Sequence, residues 1–261
     1  MSNVLSALLP HSPLLIDEIG KNNKEALKST INAYNLIKEK IIEKKVDTII
    51  IISQHGEILD NSFSIGIAPE YQISFAQFGC FKKRDNLKSD LLLADRLLEY
   101  VPIESRPVPS LDYGTAIPLE LLIRDIKDFK VLPIYCANNL SWQDHYDFGL
   151  KLKEFIDSQE KKLAIIASGD LSHRLTINSP GGYSPKGVKF DNKIISYLSN
   201  SQTIKDKILK LNPENVLEAK ECVIRPLLML LGIVSNDYKG KQLAYQTDFG
   251  VGYLSYLFNQ E

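Results

Sequence analysis

The sequence predicts an α/β protein, with a single domain whose mainly parallel or mixed central sheet is covered by helices on both faces. Short runs rich in β-branched residues alternate with segments whose apolar residues recur every three or four positions. Several of these runs are apolar throughout, as are strands buried on both faces of a parallel sheet. No Pro-, Gly- or Ser-rich linker divides residues 1–261, so we expect one domain.

The first half of the chain contains two apolar runs that predict buried strands. Residues Val4–Leu9 form a short apolar run that Pro10 ends, and Val46–Ser53 is a continuous β-branched run. Between them, apolar residues at helical spacing predict an amphipathic helix. These residues are Leu27, Ile31, Tyr34, Ile37 and Ile41. A further strand at 63–68 and a helix at 88–100 follow.

The second half continues the alternation. Strands are predicted at 130–136 and 162–168, with a helix at 142–156 between them. A helix near 191–198 and a long apolar helix from about Glu221 to Val234 follow. Two closing strands, "LAYQT" and "GVGYLSYLF", are joined around Asp248–Gly250.

Composition excludes several classes of protein. The formal net charge of −1 gives no overall field for nucleic acid or an anionic membrane. No apolar segment approaches the roughly 20 residues of a membrane span. The three cysteines contain no Cys-x-x-Cys pair, which predicts neither a disulfide framework nor a thiolate zinc site. A reducing, cytoplasmic setting is therefore expected.

Three of the four histidines lie just past the end of a predicted strand. They are His11 in "ALLPHSP", His55 in "IIISQHGE" and His173 in "IIASGDLSH". Because ligands of open α/β sheets bind beyond the carboxyl ends of the strands, these histidines are candidates for one site. His145, at the start of a predicted helix, is interpreted as structural.

Two histidines and a carboxylate are a common ligand set for iron, and imidazole also suits zinc and copper. Glu221 is the leading carboxylate, because it opens an apolar helix where an unpaired charge is costly. It is equally well explained as a helix N-terminal glutamate that the dipole favours. The spacing does not exclude other carboxylates as the third ligand. These are Asp17, Glu18, Glu57 and Asp112.

Five motifs follow one another along the chain: "PHSPLLIDEIG", "IIISQHGE", "SLDYGTAIPL", "ASGDLSHRL" and "ECVIRPLLMLLG". Their order is that found in the class III extradiol dioxygenase B-subunit superfamily, which includes the Memo-like proteins. The chain resembles this superfamily from Pro10 to its final strand.

The resemblance implies a non-haem Fe(II) bound by His11, His55 and Glu221. It also implies that His173 is the acid/base that handles the protons of a catechol substrate during extradiol cleavage by O2. Asp112 and Tyr113 belong to a motif that lines the same pocket. Asp170 is positioned in the sequence to orient His173, although it is also a typical turn residue.

Four residues depart from the family pattern or complicate it. Ser12 and Gln54 replace prolines, which are mild changes. Tyr113 stands where ring-cleaving members have a histidine, and a phenol is a poor proton shuttle at neutral pH. Memo-like members use a cysteine in the late helix, and Cys222 follows Glu221 directly; a thiolate favours Zn or Cu(I).

The sequence therefore leaves three functions to compare. The first is an extradiol dioxygenase acting on a small aromatic diol and O2. The others are a Memo-like metal-binding protein that acts through a partner, and a zinc hydrolase that uses the same pocket. We also expect a homo-oligomer, with a partner subunit left open. Substrate selectivity is assigned to the loops at 68–85 and 176–190, whose aromatic residues are Tyr71, Phe75, Phe78, Phe81 and Tyr183.

Overall fold

A computed structural model describes residues 4–124, 126, 129–235 and 238–260 of the chain. These residues build one mixed sheet with helices packed on both of its faces. The α/β class and the mixed sheet predicted from the sequence are confirmed.

Ten strands lie within the described ranges. Along the chain they are β1 (Val4–Leu9), β2 (Thr48–Ser53), β3 (Phe63–Ile67), β4 (Glu70–Tyr71), β5 (Leu87–Ser89), β6 (Ile103–Pro107), β7 (Lys130–Tyr135), β8 (Leu163–Ser168), β9 (Tyr238–Gln246) and β10 (Tyr253–Gln260). Their order in the sheet is β4-β5-β7-β2-β8-β1-β10-β9, and β3 joins β7 to β6 at one side. The strands β7, β2, β8 and β1 run parallel, whereas β10 is antiparallel to β1.

The α-helices are α1 (Asp17–Gly20), α2 (Lys28–Lys44), α3 (Leu91–Tyr100), α4 (Tyr113–Ile123), α5 (Trp142–Asp157), α6 (Pro185–Leu198), α7 (Ser201–Leu209), α8 (Pro213–Ala219) and α9 (Ile224–Val234). No helix among the residues that the structure describes is both long enough and apolar enough to cross a membrane.

Alternate residues of the central strands pack into two hydrophobic cores. In β2, Ile50 and Ile52 face the core that includes α5 and α9, whereas Ile49 and Ile51 face the core that includes α2 and α4. This follows from the two-residue repeat of a strand, which directs successive side chains to opposite faces. The uniformly apolar run of β2 arises because both of its faces pack into a hydrophobic core.

Helix α4 was not predicted by periodicity, because its residues are buried almost all the way around and include Pro118. The polar segments of α7 and α8 likewise gave no clear pattern. Helix α9 begins at Ile224, so the apolar helix expected from Glu221 starts three residues later. Helix α3 begins at Leu91 rather than at residue 88, since Asp90 caps it.

Candidate metal centre

The candidate site lies where the parallel strands β1, β2 and β8 end. Each of these strands is followed, two residues beyond its last residue, by a potential ligand: His11, His55 and Asp170. Because the three strands are parallel and adjacent, their carboxyl ends meet at one edge of the sheet. The site is therefore set by strand register rather than by a contiguous motif.

His11 is buried, and a hydrogen-bond chain fixes which ring nitrogen is protonated. The Ser168 hydroxyl donates to the Gly114 carbonyl, so Ser168 Oγ must accept from His11 Nδ1, which lies 2.9 Å away. The proton is then on Nδ1, and the lone pair of Nε2 is free. Second partners of this kind orient metal-ligating histidines and fix their tautomer.

The charge state of His11 suits the same role. Burial, together with the nearby His173, lowers the pKa of His11 to about 3. His11 is therefore neutral at physiological pH, which is the form of imidazole that binds a metal.

His55 faces His11 across the site, with the two ring centroids 4.8 Å apart. Burial, and then the neighbouring His11, lowers the pKa of His55 to about 4. The Tyr113 ring stacks on His55 at 4.7 Å, and its hydroxyl lies 3.2 Å from His55 Nδ1. Tyr113 thus contacts a candidate ligand directly.

Asp112 is engaged in capping α4. Its carboxylate accepts from the Thr115 amide at 3.0 Å, from the Thr115 hydroxyl at 2.6 Å and from the Ser53 hydroxyl at 3.1 Å. Ser53 Oγ in turn accepts from the His55 amide at 3.1 Å. Asp112 consequently holds the loop that carries His55, as an N-cap residue holds the first turn of a helix.

Cys222 completes the group on the buried side. Its Sγ lies 3.4 Å from His11 Nε2 and accepts from the Asp170 amide at 3.1 Å. Burial raises the pKa of the Cys222 thiol well above its usual value. Metal ligation requires the thiolate, so binding a cation here releases a proton and offsets the cost of a buried negative charge.

Asp170 stands between two histidines. Its Oδ1 accepts from the His11 amide at 3.0 Å, and its Oδ2 lies 3.8 Å from both His11 Nε2 and His173 Nε2. Burial raises the pKa of Asp170, while His173 opposes that rise. His173 is partly exposed, and its Nδ1 has no hydrogen-bond partner among the described residues.

Glu221 points elsewhere. Its Oε2 accepts from the Val223 and Ile224 amides, the latter at 2.7 Å, at the start of α9. This is the helix-terminal role that the sequence left open for this residue. The other carboxylates considered are also placed apart: Asp17 and Glu18 pair with lysines and arginines, and Glu57 is exposed.

Two groups of potential ligands share Cys222. One is His11, His55 and Cys222, and the other is Asp170, His173 and Cys222; within each, the ligand atoms all lie within 4.8 Å of one another. Ligands on one ion with bonds of about 2.0–2.3 Å lie about 3–4 Å apart, so small adjustments suffice. The donors therefore fit a transition-metal ion. Glu221 belongs to neither group.

Two residues of the site gave no signal in the sequence. Ser168 fixes the His11 tautomer, and Ser53 links the His55 loop to Asp112. Each is the last residue of a buried strand, and a serine at a strand end does not by itself indicate a role in a site. Their role depends on which strands are neighbours.

The aromatic residues assigned to selectivity have different positions. Tyr71 and Phe75 are buried packing residues, whereas Phe81 and Tyr183 are exposed. Phe78 alone of the five contacts the site, packing edge-on against Tyr113 at 5.7 Å. His145 is buried and bonded to the Ser141 carbonyl and the Ala137 amide, in agreement with its structural interpretation.

The chain is similar in sequence to known proteins. Protein CA_C1420 of Clostridium acetobutylicum is 30% identical over 94% of the chain, and the chain spans 55% of its length. The 3,4-dihydroxyphenylacetate 2,3-dioxygenase of Escherichia coli is 26% identical over 65% of the chain, which covers 66% of that protein.

A solved structure extends the comparison to the fold. The crystal structure of an uncharacterized protein, JW3007, from Escherichia coli K12 superposes with a TM-score of 0.67 at 16% identity, over 97% of this chain and 98% of that one. Residues 5–258 match the family described as the catalytic LigB subunit of aromatic ring-opening dioxygenase. The chain therefore belongs to this family of aromatic ring-opening dioxygenase subunits.

Proposed function

We propose that the protein is a metal-dependent extradiol dioxygenase that opens the ring of a catechol-type substrate with O2. Family membership supports the reaction class, and the cluster of His11, His55 and Cys222 supports a metal at the strand ends. Fe(II) is the proposed ion, and Zn and Cu are the alternatives. The small aromatic diol and O2 are its proposed partners.

The third metal ligand in this proposal is Cys222 rather than Glu221. The observation that carries it is the 3.4 Å separation of Cys222 Sγ and His11 Nε2. That distance is already suitable for two ligands of one tetrahedral ion. The Val223 and Ile224 amides at the start of α9 both donate to the Glu221 carboxylate. Moving that carboxylate to a metal would leave the two amides without this acceptor.

His11, His55 and Cys222 would hold the metal, which would supply the Lewis acidity that eases loss of the diol protons. His173 is the proposed base, because its imidazole lies next to the site and is partly open to solvent. Taking a substrate proton makes it an imidazolium. Asp170 Oδ2, 3.8 Å from His173 Nε2, stabilises that positive charge until the proton is returned.

Tyr113 has a binding role in this proposal. Burial and the surrounding acidic groups raise its pKa far above neutral pH, so its hydroxyl keeps its proton. The Tyr113 hydroxyl lies 3.2 Å from His55 Nδ1. A substrate bound beside His55 would also be within its reach. Tyr113 therefore orients ligands by hydrogen bonding, and His173 carries the proton transfer.

The decisive experiment measures metal and oxygen together. Protein purified without oxygen is analysed for metal, loaded with Fe(II) and given a panel of catechols in an oxygen electrode. Mass spectrometry with ¹⁸O2 tests whether both oxygen atoms enter the product, as ring opening requires. Iron at one ion per chain with oxygen uptake supports the proposal. Tightly bound zinc without oxygen uptake on any catechol would contradict it.

A second candidate function is metal binding without ring cleavage, as in the Memo-like branch. The buried thiol in place of a carboxylate favours it, as does Tyr113 beside His55. Under this alternative the chain binds copper or zinc and acts through a partner protein. Stable Cu(I) binding with no turnover of catechols is the result that distinguishes it from the dioxygenase.

Other features of the molecule stay predictions. A single domain and a homo-oligomer are proposed, with a partner subunit left open. A reducing, cytoplasmic setting is proposed because Cys80, Cys136 and Cys222 are free thiols, one of which lies in the metal centre.

A further inference from the structure

The segment that carries His173 is irregular, yet every amide in it is bonded. The anchors of residues 169–173 come from five different places in the chain: Leu9 O, Cys222 Sγ, Gly252 O, Asp191 Oδ1 and Ala219 O, in the order of the amides. The Ser172 amide, next to His173, is the one held by a carboxylate. That carboxylate takes no part in the proposed metal centre.

Asp191 lies on α6 and is fully buried. Its Oδ1 accepts from the Ser172 amide at 2.9 Å, and its Oδ2 accepts from the Tyr245 hydroxyl at 2.8 Å. Among the residues that the structure describes, no lysine, arginine or histidine pairs with it. A buried carboxylate without a cation is costly. Both of its oxygens accept here, whereas a neutral amide has one accepting oxygen and an NH2 group that donates.

The backbone around Asp191 is built to admit its carboxylate. A Cβ on Gly252 would lie 2.0 Å from Asp191 Oδ2, so only glycine leaves the necessary room. Gly252 also exchanges main-chain bonds with the His173 segment, donating to Ser172 O at 2.9 Å and accepting from the Leu171 amide at 2.8 Å. Asp191 therefore joins α6, the His173 segment, β9 and the start of β10.

We propose that Asp191 is a positioning residue that holds the Ser172 amide and thereby keeps His173 beside Asp170 during turnover. The inference rests on the proposed acid/base role of His173. It does not involve the metal ligands, because the hydrogen bonds of Asp191 are with Ser172 and Tyr245 and its carboxylate lies against Gly252.

The protonation of Asp191 provides a way to observe this connection. Burial raises the pKa of Asp191 to about 7, and the hydrogen bonds from Ser172 and Tyr245 oppose the rise. The elements around α6 carry further titratable groups: Asp170 and His173 in the segment, Tyr238, Lys239, Lys241 and Tyr245 on β9, Tyr253 on β10, Lys205, Asp206 and Lys207 on α7, and Glu214 and Glu218 on α8. The Ser172 amide loses a charged acceptor when Asp191 gains a proton, so its bond weakens below neutral pH.

The experiment follows the Ser172 amide by NMR in the zinc-loaded, diamagnetic protein. In the natural chain, the Ser172 amide resonance should show an inflection near pH 7. Asp191→Asn should remove that inflection and leave the metal content unchanged. Tyr245→Phe should move the inflection to higher pH, because the hydroxyl bond that lowers the Asp191 pKa is lost. Asp206→Asn, an exposed acidic position, is the control that should leave the Ser172 inflection unchanged.

Turnover gives an independent readout with the iron-loaded enzyme. Asp191→Asn should lower kcat by about 10- to 100-fold, as small displacements of catalytic groups do, with KM within about twofold. A folded Asp191→Asn protein with an unchanged Ser172 amide inflection and unchanged kcat would overturn the proposal. If Asp191→Asn fails to fold, an unmoved inflection in Tyr245→Phe would overturn it equally. Absence of turnover in the natural chain counts against the dioxygenase instead, since the NMR result does not need turnover.

Discussion

The Ser168 hydroxyl shows how the position of one proton prepares a proposed metal ligand. Its single hydrogen is directed to the Gly114 carbonyl, which has no hydrogen to give back. Ser168 therefore accepts from His11 Nδ1, and Nε2 is left with a lone pair 3.4 Å from Cys222 Sγ. Strand β8 thus determines the chemistry of a residue that follows β1.

Removing that hydroxyl should weaken metal binding without removing a ligand. Ser168→Ala takes away the acceptor of His11 Nδ1, and partners of this kind contribute about 10- to 100-fold in metal affinity. Metal titration with a competing chelator measures the effect. Ser6→Ala is the matched control, because this buried serine has no hydrogen-bond partner among the described residues. Equal affinities for the Ser168 and Ser6 variants would contradict the role of Ser168.

A second pair of variants tests which of the adjacent residues Glu221 and Cys222 is the third metal ligand. Cys222→Ser should reduce metal affinity by at least about tenfold, since the hydroxyl of serine is a far weaker ligand than a thiolate. Glu221→Gln should retain the metal, because its side-chain carbonyl still accepts from the amides at the start of α9. Metal analysis of both purified proteins makes the comparison. Loss of metal in Glu221→Gln, with retention in Cys222→Ser, would restore the carboxylate as third ligand.

Ligand and base roles are separated in the same way for the histidines. His55→Ala should lose the metal, whereas His173→Ala should keep it and lose about 10²- to 10⁴-fold in kcat, the usual contribution of a general acid/base. Metal content and oxygen uptake are measured on the same preparations. Equal metal loss in the two variants would mean that His173 is itself a ligand.

At the scale of elements, the contact between α5 and α9 determines where Cys222 lies. The two helices approach at glycines: a Cβ on Gly149 would lie 2.2 Å from Met229 O, and one on Gly232 would lie 2.4 Å from Tyr146 O. Helix α9 begins two residues after Cys222, so any separation of the helices moves that residue.

Gly232→Ala should therefore affect both folding and metal binding. Forcing a methyl group into this contact should lower the free energy of unfolding by about 1–3 kcal/mol, as overpacking does. Urea unfolding measures the stability, and a metal titration of the folded protein measures the site. Lys151→Ala on the exposed face of α5 is the control, with an expected change within about 0.5 kcal/mol. A variant with native stability would show that the helices can separate freely.

The sequence predicted the strands of this fold better than the helices between them. Continuous apolar runs identify β2 and β8 because burial on both faces favours apolar side chains at successive positions. The same argument fails for α4, whose all-round burial removes the helical period. For this reason the strand ends that carry His11 and His55 could be found, while the order of the strands could not.

The choice between Glu221 and Cys222 marks the limit of sequence reasoning at the site. The two residues are adjacent on irregular backbone that follows Lys220, whose φ is 51°. That left-handed residue turns the chain so that Glu221 faces the start of α9 and Cys222 faces His11. No periodicity applies to such a turn, so both readings of the motif were possible.

At the scale of the whole molecule, the sheet separates the candidate metal centre from a stabilising network at its other end. Asp90 is fully buried near the starts of β2, β7 and β8. It accepts from the Thr48 hydroxyl at 2.6 Å and from the Leu93 amide at 3.3 Å, and it pairs with Lys161. One carboxylate thus joins β2, the first turn of α3 and the residues before β8.

This network should make the stability of the protein depend on pH in acid. Burial alone would raise the Asp90 pKa, but the bonds from Lys161 and Thr48 lower it below 3.8. The charged form is thus favoured in the folded state, so its contribution is present above about pH 4 and is lost as pH falls through the lowered pKa. Asp90→Asn should lower the free energy of unfolding by about 1–3 kcal/mol at pH 7, and by less at pH 3. Urea unfolding at both pH values tests this, with the exposed Asp95→Asn on the same helix as control. A difference that grows on acidification would mean that Asp90 is protonated in the folded protein.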